Sequence, residues 1–336
     1  MSGAAVATTL ARAAIAGTGS AVPARVVTNA DIARSVETDD AWIVTRTGIR
    51  ERRVVEGAGP GEANEPRAGA TTALSVEAAR KALEAAELAP ADVELVVVGT
   101  CTPDYPSFPA TAPLVARELG ATRAFGFDLS LACTGFIAAL MTAQKFLAAR
   151  AASNALVIGA DVMSGVTDWT DRNTCVIFAD GAGAAVLRRA EPGAEALRGE
   201  VLYASLSMQG DSDVLLVDPR SRKIRMKGRE TFKFAVQRFV GEIERAAASV
   251  GKRPADLSAV IPHQVNQRII EAAAERLEIP LERIVVNIDR YGNTSAGSVP
   301  IALDEAVRAG RLKPGDLACL VAFGAGLSWG AALVRW

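Results

Sequence analysis

The sequence predicts a layered α/β fold, and three observations support that prediction. Short runs rich in β-branched residues alternate with Ala-rich stretches of helical character, which is the pattern of strands alternating with helices. Two of the runs, residues 93–99 and 318–323, are apolar on both faces, as expected for strands covered by helices on each side. Two short motifs also occur twice in the same order, which suggests a duplicated unit.

The predicted elements follow one another along the chain. The predicted strands are short apolar runs at residues 93–99, 155–159, 184–187, 258–261, 284–288, 318–323 and 331–334. The predicted helices are Ala-rich runs at residues 76–86, 135–149, 231–249 and 267–277. Residues 56–67 are rich in Gly, Pro and charge, which predicts a surface loop.

The repeated motifs divide the chain into two halves. PADV at residues 90–93 is matched by PADL at 254–257, and GAAVLR at 183–188 is matched by GAALVR at 330–335. We therefore expect an N-terminal half at residues 1–190 and a C-terminal half at 191–336. In that alignment the loops carrying Cys133 and Asn293 face each other across a pseudo-two-fold axis.

Composition excludes several classes of function. A chain of 336 residues that is 50% hydrophobic can bury a sizeable core. The net charge of -1 provides no global field for nucleic acid or an anionic membrane, so neither partner is expected. No close cysteine pair, no secretory signal in residues 1–16 and no membrane-spanning apolar run are recognised, which favours reduced thiols in the cytoplasm. The single histidine excludes a multi-histidine metal site, and no metal is expected.

The first candidate catalytic residue is Cys133, in the segment DLSLACTGF at residues 128–136. It lies just before a predicted helix, where unpaired N–H groups and the helix dipole favour a thiolate. A buried structural cysteine is the alternative interpretation. The other three cysteines lie in or near apolar strand-like runs and are interpreted as structural: Cys101, Cys175 and Cys319.

Three further segments could supply polar groups to the same chemistry. His263 follows a predicted strand and Pro262, at the carboxyl end where α/β sheets bind ligands. Asn293 lies among small residues, and its amide could donate hydrogen bonds without titrating. The Gly-rich turn at residues 323–330 could present N–H groups to an oxyanion. An ordinary structural histidine, an Asn-Gly turn and a tight hairpin are the respective alternatives.

Together these segments resemble the type III ketoacyl synthase family, also called ketoacyl–acyl carrier protein synthase III, of the thiolase-like superfamily. The resemblance runs from residue 17 to residue 336 and includes WIVTRTGIRER at 42–52 and DGAGA at 180–184. It implies a thiolase fold, which is a duplicated five-layered α-β-α-β-α sandwich, and a homodimer. It also implies a condensing acyltransferase, as in the initiation of fatty acid biosynthesis.

The resemblance implies the catalytic residues Cys133, His263 and Asn293. Cys133 would take an acyl group from acyl-coenzyme A, and His263 and Asn293 would stabilise the enolate formed when malonyl-acyl carrier protein loses carbon dioxide. The backbone N–H groups of Cys133 and Ala325 would form the oxyanion hole. Related elongating synthases use two histidines and degradative thiolases a second cysteine in the Gly-rich turn. Neither is present here, which favours decarboxylative condensation to a 3-ketoacyl product.

The resemblance also implies a coenzyme A site, with no cofactor bound permanently. Trp42 and Arg172 would hold the adenine between them, because both side chains can stack on an aromatic base. Core packing is the alternative for Trp42. The full set of implied coenzyme A contacts is Thr38, Trp42, Arg46, Arg172, Gly228 and Asn266.

Two more surfaces are implied. The acyl pocket would be lined by Phe108, Met163 and Phe232, with Phe108 reaching the site of the partner subunit. An acidic carrier protein would dock on Arg229, Lys233 and Arg268. These lie in or near residues 220–229, which carry six cations and no acid. A solvated hairpin is the alternative for residues 220–223.

Three alternative functions stay open at this stage. A thiolase-fold acyltransferase or starter-unit synthase of secondary metabolism could pass the acyl group to an oxygen or nitrogen nucleophile. A non-enzymatic subunit and an unrelated Cys–His–Asn hydrolase are the other two. The presence of both His263 and Asn293 favours condensation, with the extender carried by acyl carrier protein or by coenzyme A.

Overall fold

Strands and helices alternate along most of the chain. The computed structural model describes residues 12–190 and 198–336. The strands are β1 (Arg12–Ala21), β2 (Val26–Thr28), β3 (Glu51–Arg53), β4 (Leu95–Gly99), β5 (Phe125–Leu129), β6 (Asn154–Val162), β7 (Asp180–Ala190), β8 (Glu200–Met208), β9 (Leu215–Val217), β10 (Ile224–Met226), β11 (Ala259–Pro262), β12 (Leu317–Gly324) and β13 (Ser328–Arg335). The helices are α1 (Asn29–Ile32), α2 (Asp40–Thr47), α3 (Ala70–Ala85), α4 (Thr111–Leu119), α5 (Gly135–Ala148), α6 (Arg172–Cys175), α7 (Gly228–Ala248), α8 (Gln267–Leu277), α9 (Ile288–Tyr291) and α10 (Ser298–Arg308).

The large sheet consists of two half-sheets with the same pattern. In the first, the order is β5-β4-β6-β7-β1, with β4 parallel to β5 and β6, and β7 antiparallel to β6 and β1. In the second, the order is β11-β12-β13-β8, with β11 parallel to β12, and β13 antiparallel to both neighbours. A parallel bridge from Val260 to Ile284 occupies the place that β5 has in the first half-sheet. The two half-sheets join where Ala14 of β1 pairs with Glu200 of β8.

Helices cover both half-sheets and also separate them. α3 and α4 pack on the outer face of the first half-sheet, and α7 and α8 on the outer face of the second. α5 and α10 lie between the half-sheets, where Phe136, Leu140 and Leu303 share one core with Leu187 and Leu320. The protein therefore has five layers in the order α-β-α-β-α, and the predicted fold class is confirmed.

The central helix α5 is buried on nearly every side because sheets flank it. Phe136, Ile137, Leu140 and Leu147 are fully buried, and burial of each such side chain contributes about 1.5–3 kcal/mol. The predicted helices correspond to α3, α5, α7 and α8, and six of the seven predicted strands lie within or overlap β4, β6, β7, β11, β12 and β13. The doubly apolar runs are β4 and β12, both buried in the sheet.

The predicted strand at residues 284–288 is wrong. Ile284 makes only an isolated bridge, and Ile288 begins α9. The Oε1 atom of Gln264 accepts the backbone N–H groups of Asn287 (3.0 Å) and Ile288 (3.1 Å). Because a side chain takes these donors, the segment has no ladder to extend.

Three smaller points concern the rest of the chain. Residues 56–67 form a surface loop closed by turns, as predicted, with Arg25 paired to Glu62. The predicted boundary after residue 190 lies beside residues 191–197, and these residues and the first eleven lie outside the described residues. None of the helices in the described ranges is long and apolar enough to span a membrane.

Candidate active site

Cys133 lies between the two half-sheets, at the start of the central helix. β5 ends at Leu129, and a 3-10 turn at Ala132–Thr134 leads directly into α5. Ala132 has φ +45°, which turns the chain sharply before the helix. The thiol is therefore held at the N-terminal end of α5, as the sequence predicted.

The electrostatic surroundings of Cys133 differ from the prediction. Burial raises the pKa of the Cys133 thiol to about 12; the nearby Ser295 hydroxyl acts against this increase, and the Asp161 carboxylate contributes to it. The position before a helix predicted a thiolate, but desolvation of the charged form outweighs that effect. The Cys133 thiol is therefore neutral in this structure.

His263 follows Pro262 at the end of β11 and is fully buried. Its backbone N–H donates to the carbonyl of Val321 at 2.7 Å, which fixes the residue against β12. Neither ring nitrogen has a hydrogen-bond partner within the described part of the chain. Burial lowers the pKa of His263 to about 3. The imidazole is therefore neutral and can present one N–H donor to a ligand.

Asn293 lies in the turn between α9 and α10. Its backbone N–H donates to Ile177 O and its carbonyl accepts from Ala179 N, both at 2.9 Å. The side-chain Oδ1 accepts the Ser295 N–H at 2.8 Å, which orients the carboxamide and leaves Nδ2 as the donor for a ligand. Gly292 precedes it at φ +61°, where a Cβ would meet Ile177 O at 2.9 Å.

The Gly-rich turn between β12 and β13 packs against Cys133. A Cβ on Gly324 would lie 2.9 Å from the backbone nitrogen of Cys133, so only glycine allows this approach. The Ser328 hydroxyl joins the two turns, because it lies 2.7 Å from Thr134 Oγ1 and donates to Ala325 O at 3.2 Å. Ala325 thus lies in the turn that contacts Cys133.

One cavity of about 590 Å³ contains the three candidate catalytic residues. Its lining includes Cys133, His263 and Asn293. The other predicted site residues that line it are Trp42, Arg46, Arg172, Gly228, Arg229, Phe232, Asn266 and Arg268. The predicted residues outside its lining are Thr38, Phe108, Met163, Lys233 and Ala325.

The predicted adenine site is closed by stacked side chains in this structure. The guanidinium carbons of Arg46 and Arg172 lie 4.7 Å and 4.9 Å from the ring centroid of Trp42. Arg172 also donates to the carbonyl of Glu37 at 3.0 Å. An inserted base needs about 7 Å between its two stacking partners, since each contact takes ~3.5 Å. Adenine between Trp42 and Arg172 therefore requires Arg172 to move away.

Asn266 connects the two helices that flank the cavity mouth. Its Nδ2 donates to the carbonyl of Arg46 at 2.9 Å, at the end of α2, and its Oδ1 accepts the Arg268 N–H at 2.9 Å as the N-cap of α8. The amide predicted to contact coenzyme A thus also positions two cationic residues. Gly228 begins α7 at the same mouth.

The three predicted acyl-pocket residues lie in different surroundings. Phe232 lines the cavity, and Met163 is buried with its sulfur 4.0 Å from Cys101 Sγ. Phe108 is 85% exposed on a surface loop, so it does not contribute to the cavity of its own chain. Phe178 and Leu215 also line the cavity but were not predicted, because an apolar residue in a loop or short strand gives no local signal of its role.

Two of the three cations predicted to dock the carrier protein line the cavity. Arg229 and Arg268 line the cavity, and Arg268 lies 5.8 Å from the Phe232 ring centroid. Lys233 is exposed one turn further along α7. Residues 220–229 include part of the β9–β10 connection, β10 and the start of α7, and Arg225 is paired at 4.0 Å to Asp168.

Comparison with known proteins places the chain among condensing enzymes. Family profiles described as 3-Oxoacyl-[acyl-carrier-protein (ACP)] synthase III and its C-terminal part match residues 127–205 and 247–336. The beta-ketoacyl-[acyl-carrier-protein] synthase III of Roseiflexus sp. (strain RS-1) is 47% identical over 339 residues, covering 96% of this chain and 98% of that protein.

Two solved structures are similar over nearly their whole length. The 3-oxoacyl-[acyl-carrier-protein] synthase III from Aquifex aeolicus VF5 matches with a TM-score of 0.88 at 44% identity, covering 96% of this chain and 100% of that one. The priming beta-ketosynthase from the R1128 polyketide biosynthetic pathway matches with a TM-score of 0.85 at 35% identity, covering 99% of each.

The fold and these likenesses define a thiolase-fold condensing acyltransferase. Within that class, the chain belongs to the 3-oxoacyl-[acyl-carrier-protein] synthase III family. The resemblance read from the sequence is thereby confirmed.

Proposed function

We propose that this enzyme loads an acyl group from acyl-coenzyme A onto Cys133 and condenses it with malonyl-acyl carrier protein. The observation that carries the proposal is the shared cavity, which brings together a buried thiol, a neutral imidazole and an oriented amide. Among the residues that the structure describes, none hydrogen-bonds the imidazole nitrogens. The product is a 3-ketoacyl thioester, and the reaction initiates fatty acid biosynthesis.

The first half-reaction transfers the acyl group to sulfur. Cys133 Sγ attacks the thioester carbonyl carbon, the bond from that carbon to the coenzyme A sulfur breaks, and the thiol proton ends on the departing coenzyme A. The oxygen becomes negative in the tetrahedral intermediate and accepts from the N–H groups of Cys133 and Ala325. Support comes from the packing of Gly324 on the Cys133 nitrogen, which keeps these two turns together.

The second half-reaction forms the carbon–carbon bond. The malonyl thioester loses carbon dioxide, and the electron pair of the broken carbon–carbon bond forms an enolate. The enolate oxygen accepts hydrogen bonds from His263 and from Asn293 Nδ2. The enolate carbon attacks the acyl group on Cys133 and expels the sulfur. A neutral donor suits this step, since the low pKa of His263 keeps it uncharged and each such donor supplies roughly 3 kcal/mol.

The cavity mouth is the proposed site of coenzyme A. Trp42 and Arg172 hold the adenine after Arg172 swings out, and Thr38, Arg46, Gly228 and Asn266 contact the rest of the molecule. The exposed cations Arg229, Lys233 and Arg268 dock the acidic carrier protein. The two faces of this mouth are connected by Asn266, which supports a single binding channel.

The wider organisation is part of the same proposal. Residues 1–190 and 191–336 form two thiolase-like halves of a cytoplasmic homodimer that binds no cofactor permanently. The acyl pocket contains Met163 and Phe232 of one subunit and Phe108 of the other. Support comes from the repeated strand pattern and from the exposure of Phe108.

Mass spectrometry after exposure to a panel of acyl-coenzyme A thioesters tests the proposed nucleophile. We expect one acyl group on wild-type Cys133 and none in Cys133→Ala. Cys319→Ala is the matched control, because this thiol is also buried but lies on the outer face of β12. An adduct that persists in Cys133→Ala would show that another residue carries the acyl group.

A second candidate is a priming role in polyketide biosynthesis, favoured by the similarity to the R1128 enzyme. Its condensation chemistry is the same, and the preferred carrier protein distinguishes the two. A related alternative passes the acyl group from Cys133 to an oxygen or nitrogen nucleophile. Malonyl-dependent release of carbon dioxide supports condensation, whereas acyl transfer without that release supports this alternative.

A further inference from the structure

Two buried hydroxyls from opposite halves of the chain meet beside Cys133. Thr134 directly follows Cys133, Ser328 begins β13, and both side chains are buried. Their oxygens lie 2.7 Å apart, although the two residues are 194 positions apart in the sequence. This is the distance of a hydrogen bond between two hydroxyls. One hydrogen bond therefore connects the turn that carries Cys133 to the Gly-rich turn.

Ser328 lies where these two turns approach each other most closely. It is paired across the β12–β13 hairpin with Gly324, on which a Cβ would lie 2.9 Å from the Cys133 nitrogen. The glycine allows the two backbones to approach, and the serine opposite it supplies a bond that holds them together. The two proposed oxyanion donors, the N–H groups of Cys133 and Ala325, belong to the two turns that this bond connects.

The hydroxyl hydrogens can be arranged in two ways, and the bond between the turns is present in both. Thr134 Oγ1 also lies 2.7 Å from Leu131 O, and Ser328 Oγ lies 3.2 Å from Ala325 O. Each hydroxyl has one hydrogen, so two hydrogens serve three contacts. In one arrangement Thr134 donates to Ser328, which donates to Ala325 O. In the other, Ser328 donates to Thr134, which donates to Leu131 O.

We propose that Thr134 and Ser328 are positioning residues, whose hydroxyl–hydroxyl bond sets the separation of the two oxyanion donors. This inference rests on the proposed function, in which the N–H groups of Cys133 and Ala325 donate to the tetrahedral intermediate. A displacement of about 1 Å in such a constellation can cost ~100-fold in rate. The two hydroxyls act through these backbone donors, and no bond to them is made or broken in the reaction.

Three variants test the bond through the rate of acylation. Thr134→Val removes one hydroxyl and keeps the shape, Ser328→Ala removes the other, and Thr134→Ser keeps the hydroxyl. Single-turnover acylation of Cys133 is followed by mass spectrometry at several acyl-coenzyme A concentrations. We expect the limiting rate to fall roughly ten- to a hundredfold in the first two variants, and to stay near wild type in Thr134→Ser. The half-saturating concentration should change little, because the oxyanion forms only in the transition state.

Alkylation by iodoacetamide separates this role from a general disturbance of Cys133. Sulfur displaces iodide from carbon in that reaction and no negative oxygen forms, so all three variants should alkylate close to the wild-type rate. Ser75→Ala is the matched control, because it removes a buried hydroxyl that donates to Thr71 O in α3, and it should match wild type in both reactions. Wild-type acylation in both hydroxyl deletions would overturn the inference, as would equal slowing of acylation and alkylation.

The double variant Thr134→Val/Ser328→Ala tests whether the two hydroxyls act as one bond. Residues that share one interaction give non-additive effects, so the double variant should acylate no more slowly than the slower single variant. Multiplied losses would show that the hydroxyls act separately, and would contradict the proposal. Should one single variant fail to fold, the other still removes the same bond and decides alone.

Acylation by p-nitrophenyl acetate keeps this inference apart from the proposed function. The acetyl group passes to Cys133 Sγ and p-nitrophenolate leaves, so the reaction forms the same kind of oxyanion without coenzyme A. If wild type reacts with this ester but not with acyl-coenzyme A, the proposed function fails, while the variants still test the bond between the hydroxyls. If wild-type Cys133 is acylated by neither reagent, both proposals are overturned.

Discussion

The loops that follow β4 and β11 occupy equivalent places in the two half-sheets but treat their polar groups differently. After β4, the side chain of Asp161 accepts from the backbone of Cys101 and Thr102 and from the hydroxyl of Thr100. After β11, both ring nitrogens of His263 are buried and have no partner within the described ranges.

An unpartnered buried polar group costs roughly 1–3 kcal/mol. The loop after β4 avoids this free-energy cost because its polar groups are paired. The loop after β11 leaves the His263 nitrogens unpaired at the cavity, within the described ranges. Buried polar groups in folded proteins are nearly always paired, so an exception in a cavity indicates a group reserved for a ligand. In the duplicated fold, the first half therefore pairs the polar groups of this loop internally. The second half presents its polar groups to the cavity as donors.

Removal of either candidate donor from the second half should have the largest effect on activity. We expect His263→Ala or Asn293→Ala to slow condensation on the order of 10²- to 10³-fold, since each donor acts where charge develops on the enolate. Acylation of Cys133 should be retained, because the proposed mechanism assigns both side chains to the enolate rather than to the oxyanion hole. Single-turnover assays of each half-reaction check this. Equal loss of both half-reactions would refute the division of labour.

The pH dependence of stability should differ in sign between the halves. Burial lowers the pKa of His263 from the ordinary value of 6.5 to about 3, so the unfolded chain binds this proton first as the pH falls. Stability is then lost as pH falls through 6.5 towards 3, by up to ~1.4 kcal/mol per pH unit. Burial raises the pKa of Asp180 in β7 to about 6. Protonated Asp180 therefore contributes to stability below pH 3.8, and this contribution is lost as the pH rises from 3.8 through 6.

Urea unfolding at several pH values between 4 and 7 separates the two contributions. His263→Asn should reduce the loss of stability on acidification, and Asp180→Asn should steepen it. Asp180 also accepts from Val55 N and the Ser164 backbone and hydroxyl, so its variant will be less stable overall. The test is therefore the slope of the unfolding free energy against pH, not its absolute value. Slopes identical to wild type in both variants would contradict the prediction.

The sequence predicted the site better than it predicted some strands. Cys133, His263 and Asn293 each lie at a chain turn next to a strand or helix, and such local patterns are readable. β1 was missed because it is built from Ala and Gly rather than β-branched residues. A Cβ on Gly17 would lie 2.5 Å from Ala82 O of α3, so close packing of the helix, which no local pattern reveals, requires these small residues.

The role of Asp161 was missed for a related reason. Its carboxylate on β6 accepts the Ala296 N–H at 3.0 Å, and this contact joins residues from opposite halves. The thiolate predicted for Cys133 was wrong because the sequence indicates the helix N-terminus but not the depth of burial. Local signals therefore located the three residues that line the cavity, while the charge states of Cys133 and His263 depend on burial by distant segments.

The smallest expected effect concerns the outer helices of the two halves. The first turn of α3 is anchored by a carboxylate, as Asp104 accepts from Thr71 N and Thr72 N. Its counterpart α7 instead begins at the cavity mouth with Arg229 and exposed Lys233. Lys233→Glu should raise KM for malonyl-acyl carrier protein by about three- to tenfold, most strongly at low salt, because rim charges steer association.

The matched control for this charge reversal is Arg220→Glu, on the exposed turn that joins β9 and β10. It changes the net charge by the same amount but lies in the β9–β10 connection rather than on α7. With malonyl-coenzyme A as extender, Lys233→Glu should behave like wild type, because no carrier protein then docks. Similar increases in KM for both variants would mean that overall charge, rather than the end of α7, attracts the carrier protein.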